Sequence, residues 1–106
     1  MVGVNVMKYI EETIRKKLIL LRRLTGFSTT KMARMIGIAY KTLKSIEEGG
    51  DVGCITLNHL NNIHKNFGIL PYIMINEFYD DADIQELYIL HRYGNMTRMK
   101  FLMNKS

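Results

Sequence analysis

The stretch that most constrains this chain is residues 29–49, TTKMARMIGIAYKTLKSIEEG. Its pattern is that of two short amphipathic helices joined by a tight turn. Met32, Ala33 and Ile36 fall at i, i+1 and i+4 and so share one helical face. Gly37 then stops the first helix, because glycine takes the left-handed C′ conformation without a Cβ penalty. Ile38 follows as an apolar plug, Leu43 and Ile46 restart the period, and Gly49 ends the second helix by the same device. Ala33 is small where the two helices must cross closely. The second helix leaves Tyr40, Lys41, Lys44 and Ser45 as an outward polar face with two cations and no acid.

A helix-turn-helix places such a face in the major groove. Its signature is an alanine, a glycine four later, an apolar residue next, then two more apolar residues in the second helix. Ala33, Gly37, Ile38, Leu43 and Ile46 match it, flanked by Leu21-Arg22, Gly26-Phe27-Ser28 and Ile46-Glu47-Glu48-Gly49. The stretch resembles the phage-repressor type (Xre/Cro family) of DNA-binding protein, from roughly Tyr9 to Tyr79. That resemblance implies an all-α fold, a compact five-helix domain over residues 1–79 that reads DNA with the helix at about 39–48. Residues 80–106 lie outside it and are expected to form an additional C-terminal helical segment serving oligomerisation.

The resemblance also implies roles. Tyr40, Lys41, Lys44 and Ser45 align with base-contact positions: Lys41 or Lys44 would donate to guanine O6 and N7, and Tyr40 would pack on a thymine methyl. Thr29, Lys31 and Thr42 are better placed for phosphate, which positions without specifying. Arg22 and Glu47 would pair, tying the first helix to the end of the third; read without the family, they are two unrelated surface charges. Two departures stand out. Thr29 occupies the place of a phosphate-binding glutamine and has a shorter reach. Lys31 stands where an acid would complete a capping box behind the Ser28 cap. The loop 49–55, GGDVGCI, is longer than the family norm and lacks its proline and basic residues.

Charge is distributed as such a reading requires. The net charge is +5. Residues 1–50 hold ten Lys/Arg against four acids, residues 51–81 one against four, and residues 82–106 four against two. The basic excess thus lies in the segment with the helix-turn-helix, as a phosphate-facing surface needs. A chain of 106 residues with 47% hydrophobic and 24% charged content is one globular domain with one modest core.

Helix one is expected over residues 9–25, with Leu18, Leu21 and Leu24 inward and Glu11 and Glu12 at the positive end of its dipole. Phe27 should enter the core. Helix four is expected from a Thr56 cap through Phe67, with Leu57, Leu60, Ile63 and Phe67 inward and Gly68 as its stop. Pro71 suits the first turn of helix five, with Ile73, Met74, Phe78 and Tyr79 on its apolar side. Asp80–Asp83 is a hinge that can cap a last helix from Ala82 to about Tyr93, carrying Ile84, Leu87, Tyr88 and His91, before Gly94-Asn95 interrupts it. Residues 96–106, MTRMKFLMNKS, are basic and methionine-rich, and the pattern leaves a helical turn and a frayed tail both open.

Other chemistries find no support. Cys54 is alone, which excludes a disulfide framework and a cysteine zinc cluster and points to a cytoplasmic location; it is expected to be small and partly buried. His59 and His64, five apart, lie about 140° round a helix and share no ligand face. No phosphate loop, zinc-protease or serine-hydrolase motif occurs. The adjacent Glu47 and Glu48 point about 100° apart and form no catalytic dyad. No enzyme activity, cofactor or metal is therefore expected. Neither a signal peptide nor a run of about 18 apolar residues appears, so no membrane partner is expected.

Two function classes remain. One is a repressor-type regulator that binds specific double-stranded DNA; the other is an antitoxin that caps a toxin partner with its C-terminal segment and binds its own operator. A homodimer is expected in which Ile84, Leu87, Tyr88, Leu90, Phe101 and Leu102 meet a second copy, because the DNA-binding core looks complete by Tyr79; the competing reading is that the tail folds back on helices one and five within a monomer, or docks a different protein.

Overall fold

Capping residues and glycines divide the chain into its helices. The computed structural model describes the backbone of residues 2–105 and the side chains of residues 8–94. The fold is all-α, with six helices and no strand among the described residues: α1 (Val2–Thr25), α2 (Thr29–Ile36), α3 (Tyr40–Glu47), α4 (Leu57–Phe67), α5 (Pro71–Met74) and α6 (Asp81–Lys105). Ser28 caps α2 by accepting from the Lys31 amide at 3.1 Å, and Gly37, at φ 92°, ends it in the left-handed conformation. Thr56 opens α4 in a capping box closed by His59, whose Nδ1 accepts from the Thr56 amide at 3.0 Å. Asp80 and Asp83 exchange side chain-to-amide hydrogen bonds of 3.0 Å at the start of α6.

One core runs through all six helices. Leu18 and Leu21 of α1, Met32, Ala33 and Ile36 of α2, and Leu43 and Ile46 of α3 are buried in it. Leu60, Ile63 and Phe67 of α4, Ile73 and Met74 of α5, and Ile84 and Tyr88 of α6 join them, with Leu24, Phe27 and Leu87 packed against the edge. Side chains seal several helix ends from other helices. The Asn62 and Asn66 amides of α4 donate to the Ile36 and Met35 carbonyls at 2.8 and 3.0 Å, satisfying the C-terminal end of α2. Lys17, buried on α1, donates its ammonium to the carbonyls of Ile73 and Asn76, where α5 ends. Burial lowers the Lys17 pKa, and the Asp83 carboxylate opposes that shift.

Several expectations are corrected. α1 begins at Val2, not residue 9, so Glu11 and Glu12 lie inside the helix, where Glu12 accepts from Arg15 at 2.5 Å. Leu57 is 67% exposed, because it occupies the first turn of α4 beyond the edge of the core. Helix five is a single turn, so its period never reaches Phe78. The Asn76 side chain accepts from the Phe78 amide at 2.9 Å in a local turn that leaves the ring 79% exposed. Cys54 is exposed. The core is not complete by Tyr79: Ile84 is fully buried and Tyr88 packs on Phe67 with ring centres 6.4 Å apart, so these residues, with Leu87, are not left for a partner. The last helix is interrupted at Tyr93 (φ −114°, ψ 17°), one residue before Gly94, and continues to Lys105. The side chains of Phe101 and Leu102 lie outside the described residues.

Candidate nucleic-acid interface

α3 is held from behind and open in front. Leu43 and Ile46 fix its inner face by complete burial, which turns Tyr40, Lys41, Lys44 and Ser45 to the surface. Thr42 is half-buried at the margin. No side chain caps the N-terminal turn at Ala39. The positive end of the α3 dipole therefore faces outward beside Lys41.

Two arginines of α1 secure the far end. Arg15 and Arg22 are seven residues apart, two turns along one helical face. Arg22 Nε donates to Glu47 Oε1 at 2.6 Å; the side chains are 35% and 11% exposed. Arg15 Nε donates to the Ile46 carbonyl at 2.9 Å and its Nη2 to the Gly50 carbonyl at 2.5 Å, so one guanidinium joins α1, the last turn of α3 and the loop after it. The Gly50 amide in turn donates to the Ser45 carbonyl at 2.7 Å. A Cβ on Gly50 would lie 2.8 Å from that oxygen, so only glycine allows this approach. The loop thereby closes tightly under α3.

The remaining expected residues lie on α2. Thr29 is half-buried, and Lys31 is exposed with its ammonium 4.1 Å from the centre of the Phe27 ring, a cation–π contact that restrains it without removing its charge. Between α3 and its loop, Lys41, Lys44, Ser45, Glu48, Gly49 and Gly50 line a shallow depression of about 480 Å³. Two ammonium groups, a hydroxyl and a carboxylate there can read the donor and acceptor edges of a planar polar ligand. The exposed Glu48 carboxylate is the one acid on this rim.

Sequence reasoning missed Arg15, Glu48, Asn62 and Asn66. The seven-residue spacing of Arg15 and Arg22 was a visible signal, since one arginine assigned to α3 implies that the other faces it too. The asparagines, four apart on α4 beside its apolar stripe, were another. Among the described residues, no group of three or more His, Cys, Asp or Glu could hold a metal ion, and no helix is long and apolar enough to cross a membrane. Comparison with protein-family models, with curated proteins and with solved structures finds no match for this chain.

Proposed function

We propose that this chain is a sequence-specific double-stranded DNA-binding regulator of the repressor-like helix-turn-helix type, with α3 as the helix that enters the major groove. One observation carries the reading. An eight-residue helix is clamped along its inner face and at its C-terminal end, while Tyr40, Lys41, Lys44 and Ser45 stand exposed on its outer face. Base readout needs such rigidity, because a bidentate contact discriminates only when its donors are held in register. In this reading Lys41 and Lys44 serve guanine edges, Tyr40 a thymine methyl, and Glu48 is suited to a cytosine amino group. Thr29, Lys31 and Thr42 serve the phosphates.

The working species is a homodimer. One such helix reaches a few base pairs, too few to single out a site among about a million competitors. Two-fold symmetry answers this by placing two recognition helices about 34 Å apart. The exposed Ile89, Leu90 and Tyr93 on α6 are apolar surface available to a second copy.

A salt titration of duplex binding tests the proposal. A preferred duplex should bind more tightly than scrambled DNA, with log K falling against log salt by about 0.9 per phosphate neutralised. Equal affinity for every duplex, or none for any, contradicts it.

A further inference from the structure

The Tyr9–Lys16 stretch of α1 borders a surface of different character. A groove of about 340 Å³ lies between this part of α1 and α5, with Tyr9, Tyr72 and Ile75 exposed along it. It adjoins a second depression whose walls carry Glu12, Glu77, Asp80 and Asp81. Lys16 is the exposed cation there; Lys17 is buried and engaged by the carbonyls of Ile73 and Asn76. The surface is therefore aromatic and acidic in a chain whose net charge is +5.

The complementary sequence lies at the other terminus. Residues 95–106, NMTRMKFLMNKS, hold Arg98, Lys100 and Lys105 with no acid, among Met96, Met99, Phe101, Leu102 and Met103. Methionine-rich segments adapt to aromatic surfaces through favourable sulfur–ring contacts. The direction of α6 over residues 81–92 leads away from the groove of its own chain. Asp80 and Asp81 sit beside Glu12 and Lys16, whereas His91 and Arg92 sit beside Thr25 and Phe27. α6 thus runs alongside α1 in the same sense and carries the tail away from Tyr9. Tyr9 and Thr25 are about 24 Å apart along the helix, and residues 95–105 span about 16 Å as a helix. A second copy can bring its tail to this groove without reversing that direction.

We propose that two copies lie antiparallel and each lodges residues 95–105 in the Tyr9–Tyr72–Ile75 groove of the other, with the net positive charge of that segment against Glu77 and Asp81. The inference rests on the two-copy reading above and supplies its receiving surface. A reciprocal exchange is self-complementary and closes at two copies, as a two-fold interface must.

Sedimentation of the full chain with charge-swapped variants tests it. Glu77 and Asp81 are exposed and form no part of the Asp80–Asp83 cap, so their reversal removes no capping bond, and circular dichroism checks that the fold is kept. Glu77→Lys with Asp81→Lys should weaken self-association at least about tenfold at low salt, as should Arg98→Glu with Lys100→Glu. The four changes together should restore most of it. A native dimer that neither pair weakens overturns this inference and leaves the two-copy reading standing. A native monomer at tens of micromolar overturns both, and open polymers overturn the closed exchange. Because the groove is separate from α3, monomeric variants should retain salt-dependent DNA binding; its absence in the native chain as well would count against the DNA reading alone.

Discussion

The α2–α3 unit and the α5–α6 corner are built alike on the inside and differently on the outside. In each, cationic side chains of α1 reach across to helix ends: Arg15 and Arg22 hold the end of α3, and Lys17 holds the carbonyls where α5 stops. α1 is thus a common spine. Outside, α3 presents lysines and small polar groups, whereas the α5–α6 corner presents Tyr72, Ile75 and Phe78 beside acids. One core can thus carry two surfaces of opposite chemistry, provided each helix is anchored from behind and its outer face is left free of structural duty.

The largest expected effect contrasts inside with outside. Leu43→Ala should lower stability by about 2–5 kcal/mol in urea denaturation, through lost burial and the cavity left behind. Phe78→Ala, on an exposed ring, should change it by no more than about 0.5 kcal/mol. Equal costs at the two positions would erase the contrast.

Lys17→Met sharpens the shared inner logic. It removes the donor of two backbone carbonyls and should cost about 2–3 kcal/mol. Burial lowers the Lys17 pKa in the folded chain. Between that lowered value and the ordinary lysine value of about 10.4, the unfolded chain binds the proton that the folded chain has released, so stability contributed at this site rises with pH. The stability difference between the native chain and Lys17→Met should therefore widen as pH climbs through the alkaline range. A difference that narrows instead would mean that the buried ammonium gains more from its carbonyls than desolvation takes from it.

On the outer face of α3, Lys41→Ala should leave stability unchanged within about 0.5 kcal/mol and cost about 1–3 kcal/mol of duplex affinity, with preference relaxed at one base. Uniform weakening across sequences would reassign Lys41 to phosphate. The smallest effect concerns the anchor itself. A double-mutant cycle on Arg22 and Glu47 should show coupling above about 1 kcal/mol, since removing either partner strands a partly buried charge. Coupling near zero would leave Arg15 as the anchor that matters.

How much of this was legible in the sequence follows from how each helix is punctuated. Between Ser28 and Gly49, caps and left-handed glycines bracket helices of eight residues, so the apolar period admits one register, and Met32, Ile36, Leu43 and Ile46 are all fully buried. After Gly68 that punctuation is sparse. Pro71 marks where α5 begins, but nothing in the pattern says that it ends after one turn, so Phe78 reads as inward when the Asn76 turn leaves it outside. Tyr88 and Ile84 read as surplus only if α1–α5 close the core by themselves, and a single-turn α5 is too short to do so. Lys17 was visible in principle: it falls between Ile14 and Leu21 at i+3 and i+7, on the apolar face, where a lysine needs carbonyl partners. Those partners lie 56 and 59 residues away, and no local pattern announces them.

If α3 is a rigid reader of base edges, selection of bound duplexes from a random pool will reveal it. The expected result is enrichment of one motif with two related half-sites about one helical turn apart, in which Lys41→Ala blurs a single position of each half. A bound pool with the same composition as the input, at a salt concentration where the native chain still binds DNA, would contradict it.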